Sequence, residues 1–189
     1  SGGATCPSLL LEPSRAQLVP YSEYFDAWSG NRVILDINTS ETLSPEGLNN
    51  ATGFIPTAVM DDHARGISVT ISAGAVTYSA YLKAGDKTWA RLWETSVDNV
   101  FVDFNLSGSG SMGTTQGTFL DKGIEAVGNG WYRCYMSVTS VGGGGPFRIY
   151  PLEGDGDKAY LGDGSTIDLY TYGAMAEQGS YATSYIPNH

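Results

Sequence analysis

Two tryptophans and an arginine occupy alternate positions in the segment TWARLWE (88–94), as Trp89, Arg91 and Trp93. Extended backbone sends successive side chains to opposite faces, so these three share one face while Ala90 and Leu92 share the other. The same partition recurs in three more segments. VTYSAYLK (76–83) separates Tyr78, Ala80 and Leu82 from Ser79, Tyr81 and Lys83. WYRCYMS (131–137) separates Tyr132, Cys134 and Met136 from Trp131, Arg133 and Tyr135. FRIYP (147–151) separates Phe147 and Ile149 from Arg148 and Tyr150. Each segment thus has one apolar face and one that mixes aromatic with cationic groups. A mixed face of that kind suits sugar rings: an aromatic plane covers the apolar ring face, and guanidinium donors meet the hydroxyl groups. The arginines can also stack on neighbouring rings. The alternative is internal, with Trp89 and Trp93 packed beneath a loop and the Arg91 stem lying between them.

Other chemistries find less support in the residues. Glycoside hydrolysis needs two carboxylates across a cleft. Asp61, Asp62, Glu94 and Asp103 are available, but their spacing singles out no pair. There is no GxSxG, and His63 and His189 suggest no triad. GSGSMG (108–113) is not followed by the Lys-Ser/Thr of a phosphate-binding loop. DGDKAYLGDGS (155–165) has the oxygen-rich look of a calcium loop without the spacing or terminal Glu of an EF-hand, so a solvated turn is the simpler reading. Two cysteines and two histidines fall short of a zinc site. Cys134 reads as a buried thiol, with a Cys6–Cys134 bridge left open. No catalytic residue and no metal ligand is assigned.

The elements that must hold these faces are strands. Among 189 residues, 25 glycines and eight prolines separate segments rich in Val, Ile, Thr, Tyr, Phe and Trp. The segments 32–38, 67–72, 76–85, 88–94, 99–106, 123–128, 131–140, 147–152 and 167–177 read as strands. AGDK, SGSGSMG, VGNG and VGGGGP between them read as turns. Short strands at that spacing predict an all-β fold, a two-sheet antiparallel β-sandwich or jelly roll. Residues 1–20 are expected to form an N-terminal arm and 21–189 a single domain. Tyr78, Ala80, Leu82, Ala90, Leu92, Tyr132, Cys134, Phe147 and Ile149 are the expected core. Twenty acidic residues against ten basic give a net charge of −10, which disfavours nucleic acid and anionic lipid as partners. No apolar run is long enough to span a membrane as a helix. Nor does a basic start followed by an apolar stretch open the chain.

Several stretches together resemble a module that recurs in phage tail-fibre and head-spike proteins. They are LLLEPSRAQLVPYSEYFDAW (9–28), YSAYLKAGDKTWARL (78–92), VGNGWYRCYMSV (127–138), FRIYP (147–151) and YGAMAEQGSYATSYIP (172–187). That module is similar to the β-sandwich carbohydrate-binding modules of polysaccharide-degrading enzymes. The resemblance implies a non-catalytic jelly roll that attaches a larger virion or extracellular protein to a polysaccharide or cell-surface glycan. Trp89, Arg91, Trp93, Tyr81, Arg148 and Tyr150 would form its aromatic concave face, with Arg133 and Tyr135 on the adjacent strand. It requires no cofactor, and it implies a structural calcium (Ca2+) near the first and last strands, with unassigned ligands. The alternative is a structural or oligomerising domain of a fibre or spike with no glycan site of its own.

Overall fold

The computed structural model describes residues 12–95 and 98–188. A 3-10 turn at Phe25–Ala27 precedes the strands, which run in chain order. The first five are β1 (Ser29–Asn31), β2 (Val33–Ile37), β3 (Thr52–Pro56), β4 (Met60–Asp62) and β5 (Ala64–Ile71). Then come β6 (Gly74–Ala84), β7 (Trp89–Glu94), β8 (Val100–Asn105), β9 (Ser111–Gln116) and β10 (Asp121–Gly128). The last four are β11 (Trp131–Ser140), β12 (Gly143–Leu152), β13 (Ala159–Leu161) and β14 (Leu169–Gln178).

Two six-stranded antiparallel sheets form the expected sandwich. The first has the order β1-β5-β12-β7-β8-β9 and the second β10-β11-β6-β14-β3-β2. A small β13-β4 ribbon stands apart from both. Between the sheets lies one apolar core containing all nine residues predicted from alternation. Phe147 of the first sheet meets the Tyr78 ring of the second at 5.2 Å between centroids, and Trp28 reaches Phe147 at 6.2 Å. Cys134 is a buried free thiol in that core, and Cys6 lies outside the described residues.

β1, β3, β4, β9 and β13 were not expected, and β5 and β12 begin three and four residues before their predicted strands. TGFIP is short and punctuated by Gly and Pro, and the glycines of β9 and β12 read locally as turns. Tertiary packing overrides that preference. A Cβ on Gly113 of β9 would stand 2.5 Å from the Trp89 ring and 2.3 Å from the Asp155 carboxylate, so only glycine fits. The described part of the N-terminal arm is stitched to β14. Val19 is fully buried, the Leu18 amide donates to the Ala176 carbonyl at 2.8 Å, and Arg15 pairs with Glu177 at 3.3 Å.

Candidate functional site

One row of register partners crosses the outer face of the first sheet from edge to edge: Ser29, Gly66, Arg148, Trp93, Phe101 and Gln116. Strands lie about 4.8 Å apart, so the row is about 24 Å long. Its middle is shaped by a missing side chain. A Cβ on Gly66 would stand 2.5 Å from Arg148 Cγ, so the arginine stem lies flat across the glycine. Around it opens a cleft of about 250 Å3 lined by Ser29, Gly30, Asn31, Ala64, Gly66, Ser68, Pro146 and Arg148. The lining residues of β5 are small at alternate positions, a signal in the sequence that the search for aromatic and cationic residues passed over. Trp93 adjoins the cleft as the cross-strand partner of Arg148. It is half-buried, its indole N–H donates to Asn99 Oδ1 at 3.0 Å, and Phe101 and Tyr150 flank it at 5.5 and 5.7 Å.

The strand phase is as predicted: Ala90 and Leu92 are fully buried, and Trp89, Arg91 and Trp93 point away from the core. Solvent access is not as predicted. Arg91 is only 4% exposed, and its guanidinium grips Asp103 through Nε–Oδ1 (2.5 Å) and Nη2–Oδ2 (2.9 Å). It also stacks 3.7 Å above the Phe101 ring. Tyr150 is buried too, in a small outer cluster with Ala64 and Leu152 against which both tryptophans pack. The segment after β12 helps close over this end. Gly156 N–H donates to Asp103 Oδ2 at 2.9 Å, and Asp155 Oδ1 accepts the Thr114 amide at 2.6 Å, beside Trp89. Arg91 and Tyr150 therefore hold the roof of this face and cannot offer the free donors and open ring expected of them.

The expected single face is in fact two. Tyr81, Arg133 and Tyr135 sit on β6 and β11, on the outer side of the opposite sheet. Tyr81 packs in a tyrosine triad with Tyr172 and Tyr185, each centroid 6.1 Å away. That triad belongs to a second apolar cluster with Trp131, whose indole N–H donates to the Leu43 carbonyl at 2.8 Å. Arg133 donates to the Thr183 carbonyl. Tyr135 lies over Gly123 and lines a cleft of about 230 Å3 with Arg133, Tyr181, Asp121 and Glu125. Burial, reinforced by the Asp121 carboxylate, raises its phenol above the ordinary tyrosine range. This cleft and the one beside Trp93 lie on the outer sides of different sheets, so a single concave platform does not form.

No family model and no curated protein matches this chain. Among solved structures, the chain is similar to a carbohydrate-binding module from Cellvibrio mixtus lichenase 5A in complex with cellotriose. Identity is 13%, the TM-score is 0.41, and the match covers 88% of this chain and 97% of that one.

The carboxylates considered for hydrolysis are each engaged separately. Asp61 pairs with Arg32 at 2.5 Å, and Asp62 pairs with Lys158 at 3.1 Å and accepts the Asn31 amide. Glu94 is buried and accepts the Asp98 and Asn99 amides, while Asp103 holds Arg91. The turn at 155–165 does not gather its carboxylates either. Asp155 accepts the Thr114 amide, and Asp163 accepts the Ser165 and Thr166 amides at 2.7 and 2.8 Å. Among the described residues no group of three His, Cys, Asp or Glu side chains is placed to hold a metal ion.

Proposed function

We propose that the outer face of the first sheet binds a glycan without cleaving it, using the Trp93 indole and the adjoining cleft under Arg148. One observation carries this: a half-buried tryptophan and an arginine sit as cross-strand partners beside a cleft floored by glycine and alanine and rimmed by Ser29, Asn31 and Ser68. The indole supplies an apolar plane for a ring face, and the rim supplies donors and acceptors for hydroxyls. The cleft lining contains no carboxylate, as fits binding better than glycosidic cleavage. In this role the domain would anchor a larger virion or extracellular protein to a polysaccharide.

The test is a glycan array followed by calorimetric titration of the best ligand. Trp93→Ala should weaken binding about tenfold, the equivalent of about 1.4 kcal/mol for one lost stacking contact. Unchanged affinity in a folded Trp93→Ala variant would remove the site from this face.

A second role is favoured by a different feature. Met60 and Leu161 are cross-strand partners in the β13-β4 ribbon, 66% and 62% exposed, with Val59 beside them. An apolar patch of this kind suits a structural domain that packs against another chain. Light scattering across a range of protein concentrations separates the two: Met60→Lys should abolish any self-association and leave glycan affinity untouched.

A further inference from the structure

We infer that the cleft selects an anionic sugar, whose charged group docks on the Arg148 guanidinium. The inference rests on the glycan-binding role proposed above and names the class of ligand.

The charge pattern points there. Acidic residues outnumber basic ones two to one, and most cations are matched. Arg15, Arg32, Lys87, Arg91 and Lys158 pair with carboxylates. Arg65 donates to the carbonyls of Trp28 and Val33, and Arg133 to that of Thr183. Arg148 has neither kind of partner among the described residues; nor do Lys83, which donates to Thr42 Oγ1, and Lys122, which lies over the Phe119 ring, but of these three only Arg148 lines the cleft. Its hydrogen bond among those residues is a long one, Nη1 to the Tyr150 hydroxyl at 3.4 Å. A guanidinium carries five donors in a planar fork that matches a carboxylate or sulfate in two parallel bonds. In a chain of net charge −10, a cation left without a counter-ion at the wall of a cleft is placed for an incoming anion.

The surroundings suit that anion. No carboxylate lines the cleft to repel it. The nearby Asp62 is neutralised by Lys158, and its carboxyl is held below the ordinary range against the opposing effect of burial by hydrogen bonds from its neighbours and by the Lys158 charge. Gly66 fixes the arginine stem against the sheet, so the guanidinium is positioned before the ligand arrives. About 250 Å3 lies at the small end of ligand pockets, room for a single ring, with Trp93 one strand away to receive the next. The overall negative charge repels a long polyanion, which makes short oligomers the proper probe.

The experiment titrates the full chain with three short oligosaccharides: oligogalacturonate, its carboxyl-reduced neutral counterpart, and a sulfated neutral oligomer. We expect an acidic oligomer to bind at least about tenfold more tightly than the neutral one, as two charge-assisted hydrogen bonds imply. The carboxylate and sulfate arms tell which anion the fork prefers. Arg148→Gln should erase the acidic preference, leaving acidic and neutral affinities within about twofold, while Trp93→Ala weakens both alike. Arg148→Lys, which keeps the charge and loses the fork, should recover part of the preference. A thermal melt of each variant verifies folding. Equal binding of acidic and neutral oligomers, with both weakened by Trp93→Ala, would overturn the inference and leave the glycan site standing. If neither these oligomers nor any member of a broad neutral array binds, the glycan-binding role falls with it.

Discussion

Arg91 and Asp103 face each other across β7 and β8 as register partners, joined by two parallel hydrogen bonds of 2.5 and 2.9 Å with both side chains buried. Desolvating two charges is costly, and the remaining Asp103 valence is met by the Gly156 amide. Removing one partner leaves the other charged and unpaired. Asp103→Ala should therefore destabilise the domain by about 3–5 kcal/mol in urea unfolding, whereas Arg91→Met with Asp103→Leu should recover most of that loss. If the single variant unfolds like the parent, the pair is not the buried lock described here.

Leu92→Ala removes a fully buried side chain from the core face of the same strand. The expected cost is about 2–5 kcal/mol, read as a lowered denaturation midpoint with an unchanged slope. A negligible loss would mean that the two faces of β7 had been exchanged.

Trp89 and Trp93 share a face but should behave differently. Trp89 is wedged against Gly113 beside Asp155, so Trp89→Ala should lower stability by about 2 kcal/mol or more and affect glycan affinity little. Trp93→Ala should do the reverse. Gly66→Ala offers a finer probe: its Cβ would force Arg148 aside, weakening binding of an acidic oligomer while Trp93 stays in place. Thermal melts run beside titrations check all three, and identical profiles for the two tryptophan variants would contradict the assignment.

Alkaline pH should loosen the fold. The Tyr170 hydroxyl donates to Glu41 at 2.6 Å, and burial together with that carboxylate pushes its phenol up to about 12. Burial raises Tyr78, Tyr160, Tyr172 and Tyr185 in the same direction. In the unfolded chain tyrosines ionise near pH 10, so between about 10 and 12 the folded state holds more protons. The tyrosine contribution is thus complete below about pH 10 and is lost as pH rises through the folded values. A Tm series should fall across that window, less steeply for Tyr170→Phe. A Tm that holds constant to about pH 12 would show the phenols to be unprotected.

Strand phase was legible in the sequence because alternation is a local property. The period of two in 76–83, 88–94, 131–137 and 147–151 assigned nine core positions, and the all-β sandwich followed from the turn chemistry between them. Residue type also flagged Trp93 and Arg148, which the tertiary structure brings together as cross-strand partners. What alternation cannot tell is which sheet a strand joins, since hydrogen-bonded neighbours are set by pairing between distant segments. β6 and β7 are consecutive in the chain yet enter opposite sheets, and this divides Tyr81, Arg133 and Tyr135 from Trp89 and Trp93. Nor can it tell whether an outward face meets water. The segment after β12 and the stretches around Leu43 and Thr183 fold back over the sheets, and they turn Arg91, Tyr150 and Tyr81 into packed residues. The sequence by itself determined which side of each strand is apolar, because that depends on the chain's own dihedral period. Only the tertiary structure decided which of the remaining sides stay open, because that depends on where long loops find polar partners and buried area.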